Sequence, residues 1–227
     1  MSLTYAIPDL HGRLDLLELA MSRISEHIGS ETARVVTLGD YVDRGPKSRD
    51  VIEFLMRWSF PNLQLVALKG NHEAMMWEAC NNLVEPAWWI ENGGNETLAS
   101  YGEFNPGVQL RSVVPLDHLE WIAELPAFFA DSKRVFVHAG LDARLPLNQQ
   151  SERTLLWKRY PKGSGTGYGS RHVVHGHQAD AGGPMVSKGK TNLDTMAWKT
   201  GRLVVGVFSD KASGSAVEFL EVLGNPL

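Results

Sequence analysis

Apolar and polar positions change period several times along the chain. Leu3 to Ile7 is a short apolar run and reads as a strand. Between Leu14 and Ile28, residues Leu17, Ala20, Met21, Ile24 and Ile28 recur at helical spacing and give one apolar face. "RVVTL", Arg34 to Leu38, predicts a second strand. Ser48 is placed to cap a helix reaching about Trp58, with Glu53 and Arg57 as an outward pair at i, i+4. "LQLVAL", Leu63 to Leu68, predicts a third strand. Strand alternating with helix predicts a parallel sheet with right-handed crossovers.

From Glu73 to about Glu124 the pattern is mostly helical, broken at "ENGGNE" and "GEFNPG". Short apolar runs follow at Arg134 to Val137, His172 to Val174, Leu203 to Phe208 and Ala216 to Leu223. These predict a second sheet, mixed or antiparallel, packed on the first, with "WKTGR" as a hairpin turn before Leu203. The fold class is therefore α/β, two packed mixed β-sheets flanked by helices. "KGSGTGYGS", residues 162–170, reads as a flexible loop. A length of 227 residues suits a single domain over 1–227.

Each strand of this pattern ends in residues capable of chemistry. After Ile7 comes "PDLHG", after Leu38 "GDYVDRG", after Leu68 "KGNHE", after Val137 "HAG", and after Val174 "HGHQ". Loops at the carboxyl ends of strands form the ligand crevice of open α/β sheets. Five such loops would bring together Asp9, His11, Asp40, Asp43, Arg44, Asn71, His72, His138, His175 and His177. A lone Asp-x-His is more often a turn than a site, but five strand-end clusters make coincidence a poor account. Carboxylate, imidazole and amide oxygen without thiolate suit Mn²⁺, Fe or Zn²⁺ in a catalytic role rather than a structural zinc site. Two metals need a bridging carboxylate and can generate a hydroxide between them. An adjacent arginine suits a phosphate oxygen.

These motifs, in this order and spacing, resemble the phosphoprotein phosphatase (serine/threonine phosphatase) family of calcineurin-like metallophosphoesterases, and look closest to its short bacterial and phage members. The resemblance runs from about residue 3 to 210, and "WWIENGG", residues 88–94, also looks like a segment of the small bacterial members. It implies a four-layer sandwich and two divalent metal ions, with manganese the first choice and iron or zinc as alternatives. Carried across, Asp9 and His11 would hold the first metal, Asp40 would bridge both, and Asn71, His138 and His177 would hold the second. His72 would be the general acid, held by Asp43. Arg44 and Arg159, the latter in "LLWKR", would bind phosphate with Asn71 assisting. A hydroxide between the metals would attack phosphorus in line.

The chain departs from the family at Pro8 and Met196, where glycine is usual, so Asp194 takes only a structural reading. His175 and His177 compete for one ligand position, and the resemblance favours His177, with His175 packing. Ala179 stands where diesterases and nucleases often carry a second histidine, which favours the phosphatase branch. His27, His118 and His172 receive no role, and Trp88, Trp89 and Trp121 read as core.

The implied activity is hydrolysis of a phosphorylated protein at serine or threonine, or of a small phosphate ester. Symmetric cleavage of dinucleoside tetraphosphates and phosphotyrosine hydrolysis are alternatives. The former would need a second phosphate cluster, for which Lys158, Lys162 and Arg171 are weak candidates. A non-catalytic metal-binding scaffold is the rival outside enzymes. Lys and Arg number 22 against 26 Asp and Glu, a net charge of −4, which argues against a mainly electrostatic nucleic-acid partner. Cys80 is alone, so it can form no internal disulfide and fits a reducing compartment. Neither a signal-peptide pattern nor an apolar run of about 20 residues is evident, so a cytoplasmic protein without membrane contact is expected.

Overall fold

The computed structural model describes residues 3–102, 110–161 and 163–227. Its strands are β1 (Leu3–Ile7), β2 (Ala33–Thr37), β3 (Leu63–Ala67), β4 (Phe128–Ala130), β5 (Arg134–Val137), β6 (His172–His175), β7 (Met185–Ser187), β8 (Lys190–Asn192), β9 (Arg202–Ser209) and β10 (Glu218–Leu223). They form two five-stranded mixed sheets, ordered β10-β9-β1-β2-β3 and β4-β5-β6-β8-β7. The pairs β1/β2 and β2/β3 are parallel, as the alternation of strand and helix requires.

Side-chain alternation explains the layering. Tyr5 and Ile7 of β1, Val35 of β2, and Val205 and Val207 of β9 pack with Leu17, Met21 and Ile24 of helix α1 (Leu14–Ile28). The intervening Ala6, Val36 and Phe208 face the other way, against Phe136 and Val174 of the second sheet. Val135, Val137 and Val173 cover that sheet's outer face together with Leu141 and Leu155. Strands β1, β2, β5, β6 and β9 thus bury side chains on both faces, as a continuous apolar run permits.

Three sequence expectations need correction. Leu203–Phe208 and Ala216–Leu223 do not enter the second sheet: β9 pairs antiparallel with β1, Leu3 opposite Ser209 and Ala6 opposite Gly206, and β10 follows it. Without β9 the fully buried β1 would present an unpaired edge. "WKTGR" is not a hairpin turn but a single helical turn, Ala197–Thr200, ended by Gly201 at φ 70°. Helix α2 spans Ser48–Met56, and Ser48 does not cap it. Its hydroxyl instead accepts the Asp43 backbone N–H at 3.0 Å. The Glu53–Arg57 pair is present at 3.0 Å, with Arg49 joining Glu53 at 2.8 Å. Helix α3 (Asn71–Cys80) opens the helical middle region, and most of "GEFNPG" falls outside the described residues. Cys80 is buried, and burial pushes its thiol up to about 12. Among the described residues no helix is long and apolar enough to cross a membrane.

Candidate active site

The loops after β1, β2, β3, β5 and β6 converge through their own backbones. Leu10 and His11 donate N–H to the Asp40 carbonyl at 2.9 and 2.8 Å, and Gly176 donates to the His138 carbonyl at 2.8 Å. His177 donates its N–H to the Asp9 carboxylate at 3.1 Å, and the two loops meet so closely that a Cβ on Gly176 would lie 2.0 Å from Asp9 Oδ2. The convergence strains the chain. Among the described residues, seven non-glycine residues have positive φ, and five of them are His11, Asp40, Asp43, Arg44 and His177. Such conformations cost on the order of 1–3 kcal/mol each and persist only where surrounding contacts hold them.

Glu73 supplies much of that hold. Its buried carboxylate accepts N–H groups from Asp40 (2.8 Å), Tyr41 (2.7 Å), Val42 (3.3 Å) and Gly70 (2.8 Å). Burial pushes its pKa up to about 7, against the pull of these donors. The sequence reading gave Glu73 no role. The readable signal was its place three residues after Gly70, the capping-box position of α3. Replacing Glu73 with alanine orphans four buried amides, so a loss of about 3 kcal/mol or more is expected. For a chain this long that is roughly a 6–12 °C fall in melting temperature. A shift under about 2 °C in a thermal melt would show that the carboxylate does not hold the loop.

Asp43 and His72 form a buried pair, Nδ1 to Oδ2 at 2.6 Å. Because a carboxylate accepts, His72 Nδ1 carries the hydrogen and Nε2 is left for the cavity. Asp43 also accepts from Trp89 Nε1 at 2.9 Å and Thr97 Oγ1 at 2.6 Å. Burial raises the Asp43 pKa to about 7, and burial, then Arg44, hold His72 well below its ordinary value. Trp89 is core, as expected, but it also orients Asp43; Thr97 carried no sequence signal. Trp88 departs from the core expectation. It is 41% exposed and stacks on Trp157, itself 38% exposed, with centroids 5.8 Å apart.

Arg44 donates from Nη1 to His11 Nε2 at 2.7 Å and from Nη2 to His72 Nε2 at 2.9 Å. Its guanidinium lies 5.6 Å from the Trp198 ring. Its backbone N–H is held by the Gly93 carbonyl at 3.1 Å. Gly93 has φ 108°, and a Cβ there would lie 2.8 Å from Arg44 Cγ, which gives "ENGG" a physical reason.

The remaining donors fit divalent cations. His138 Nδ1 is engaged by the Leu38 carbonyl at 2.9 Å, so Nε2 presents a lone pair to Asn71 Oδ1 at 2.8 Å and Asp40 Oδ1 at 3.4 Å. His11 Nδ1 is likewise held by the Val42 carbonyl, leaving Nε2 3.5 Å from Asp40 Oδ2. His177 Nδ1 lies 2.9 Å from the same Asn71 oxygen, and among the described residues its buried Nε2 makes no hydrogen bond of ordinary geometry. Acceptors crowded on acceptors repel unless positive charge lies among them. Two groups, His11–Asp40–His72 and Asp40–His138–His177, each offer ligand atoms within 4.8 Å of one another, and Asp40 belongs to both. Asp9 is buried beside them. Burial first, then neighbouring carboxylates, raise Asp9 and Asp40 well above the usual range, a state that bound cations would reverse.

Asp9, Asp40, Arg44, Asn71, His72 and His177 line one end of a cavity of about 550 Å³, and Arg159 lies on its wall. His175 lies on the same wall but faces the Tyr160 ring at 5.2 Å. Asp194 also lines the cavity and accepts the Met196 N–H at 2.9 Å; Met196 has φ 55°, where glycine would be unstrained. His27, His118 and His172 pair elsewhere, with Tyr5, Tyr101 and Thr191. Lys158 sits 5.4 Å from the Tyr160 ring, Arg171 is not on the cavity wall, and Lys162 lies outside the described residues.

Residues 4–197 match the family model described as calcineurin-like phosphoesterase. Over 91 residues, 40% of this chain, the sequence is 32% identical to serine/threonine-protein phosphatase 2 of Escherichia coli, covering 38% of that protein. Over 179 residues, 74% of this chain, it is 26% identical to the symmetrical bis(5'-nucleosyl)-tetraphosphatase of Neisseria meningitidis, covering 56% of that protein. The chain thus matches about half the length, or less, of these curated relatives. The fold is similar to a protein serine/threonine phosphatase from Saccharomyces cerevisiae, with a TM-score of 0.62 at 15% identity over 99% of this chain and 81% of that one. It is also similar to a cold-active protein-tyrosine phosphatase of Shewanella, with a TM-score of 0.63 at 16% identity over 90% and 75%. At these identities the two structures speak for the fold alone.

Proposed function

The chain belongs to the calcineurin-like phosphoesterases, and we propose that it is a two-metal hydrolase of phosphate esters with His72 as its general acid. The observation that carries this reading is the His72–Asp43 contact at 2.6 Å, which turns the other ring nitrogen, Nε2, toward Arg44 and the His11–Asp40 group. Asp9, His11 and Asp40 would hold one divalent cation, and Asp40, Asn71, His138 and His177 the other. Manganese is our first choice, with iron or zinc also suited to the donors. Two such cations, when bound, lower the pKa of water and draw charge from phosphoryl oxygens.

The chain's own residues then have separable tasks. Arg44 and Arg159 grip the phosphoryl oxygens, with Asn71 assisting. Arg44 now donates to His11 and His72. A phosphoryl group that takes those N–H groups frees the His72 Nε2 lone pair. Nε2 then takes up a proton from solvent, with Asp43 balancing the imidazolium charge and fixing the ring, and passes that proton to the leaving oxygen. Exposed Arg159 contributes charge without holding the metal ligands. Arg159→Ala should therefore weaken inhibition by inorganic phosphate about tenfold while metal content stays the same. Unchanged inhibition in that variant, with weakened inhibition in Lys158→Ala, would transfer the role to Lys158.

The two substrate readings differ in leaving group. A phosphoserine or phosphothreonine protein is the first. A dinucleoside tetraphosphate is the second, supported by the longer match to the Neisseria relative and by a cavity of about 550 Å³ whose lining includes Tyr160, Ser164 and Lys190 besides the Asp and His residues. A panel of phosphoserine, phosphothreonine and phosphotyrosine peptides with diadenosine tetraphosphate, assayed with added Mn²⁺, separates them. Turnover of none of these, nor of p-nitrophenyl phosphate, would favour the scaffold.

A further inference from the structure

The cavity that Arg44 and Arg159 line is also lined by Tyr160, the residue after Arg159, and by Ser164, Ser187, Lys190 and Asn192. Among the described residues, Lys190 is the lysine that lines this cavity. It is 4% exposed, and its ammonium donates to the Ser164 carbonyl and, at 3.2 Å, to the Ser164 hydroxyl. It lies 4.4 Å from the centroid of the Tyr160 ring. Among the described residues no carboxylate forms an ion pair with it, and burial, then Lys158, press its pKa down. Lys158 differs, because it acts on Asp142 and does not line the cavity. A buried ammonium held only by neutral groups is costly unless an anion completes it. Ser164, Ser187 and Asn192 line the same cavity.

Resting on the phosphoesterase reading above, we propose that Lys190 binds a second phosphoryl group on the leaving portion of the substrate. The preferred substrate is then a small polyphosphate rather than a phosphate ester with a neutral leaving group. Water adds to the phosphorus held by Arg44 and Arg159 and gives up a proton to solvent. The bond from that phosphorus to the bridging oxygen breaks, and the oxygen departs on the phosphoryl group held by Lys190. Two sources share this chemistry, a nucleoside polyphosphate and an inorganic one.

The test compares kcat/KM for wild type, Lys190→Gln and Lys190→Arg at saturating free Mn²⁺. The substrates are diadenosine tetraphosphate, inorganic tripolyphosphate and p-nitrophenyl phosphate. Lys190→Gln should lose about ten- to a hundred-fold on at least one polyphosphate, mainly in KM, and less than about threefold on p-nitrophenyl phosphate. Lys190→Arg should recover most of the loss. Loss on diadenosine tetraphosphate alone identifies a nucleotide source; loss on both polyphosphates identifies the phosphate chain itself. Equal losses on all three substrates would make Lys190 a structural tie for the loop and overturn the proposal, as would no loss on either polyphosphate. If Lys190→Gln does not fold, wild type decides. Tripolyphosphate must then inhibit p-nitrophenyl phosphate turnover at least about tenfold more strongly than phosphate does, and equal inhibition overturns the proposal. Wild type inactive on all three substrates would overturn the phosphoesterase reading instead.

Discussion

Asp40→Asn should abolish activity, by about 10³-fold or more, and release both cations. Asp40 is the residue common to both candidate ligand groups, its Oδ1 facing His138 and its Oδ2 facing His11. Asparagine keeps the shape and one oxygen but removes the negative charge that two cations would share, and an amide nitrogen cannot be a ligand while it carries its hydrogens. The fold should survive, because the Asp40 backbone is held by Glu73, Leu10 and His11 independently of the side chain. Elemental analysis after gel filtration, paired with a thermal melt, reads both effects. Two tightly bound ions in a well-folded variant would remove Asp40 from the bridging role.

His72→Asn should show a loss that depends on the leaving group. His72 lies next to Asn71 at the start of α3, but its Nδ1 is committed to Asp43 and its Nε2 to Arg44. A serine alkoxide needs a proton as it leaves, whereas p-nitrophenolate hardly does. General acid catalysis is worth about 10²–10⁴-fold. A loss in kcat of that size is expected on a phosphoserine peptide, with a distinctly smaller one on p-nitrophenyl phosphate and metal content unchanged. Equal losses on both substrates would point to charge stabilisation by the imidazole rather than proton delivery. Loss of metal would place His72 among the ligands, a role its geometry with His11 and Asp40 does not forbid.

The strand-end residues were legible because their position is a local property. A short apolar run fixes where a strand stops, and polar residues directly after it, such as Asp9, Asp40 and His138, must sit at that edge. Sheet membership is not local. Nothing in Leu203–Phe208 says that it pairs with β1 rather than β6; only the finished burial of Tyr5 and Ala6 demands it. Strands β4, β7 and β8 have three residues each, too few to show a period. The supporting residues were hidden for a different reason. Ser48 looked like a helix cap and Trp89 like core, because a residue that orients Asp43 uses the same hydrophobic or small side chain as one that merely packs. Lys190 carried no sequence reading at all, because its burial depends on Tyr160 and Ser164, far from it in sequence.

The central claim is that the Asp and His clusters hold two catalytic cations. It is tested most directly by stripping the protein with chelator and titrating Mn²⁺ back while following p-nitrophenyl phosphate hydrolysis and Mn²⁺ binding in parallel. Activity should be absent in the stripped protein and should rise to saturation as two ions bind per chain. Full turnover by the stripped protein, or Mn²⁺ binding at two sites per chain without any turnover, would contradict it.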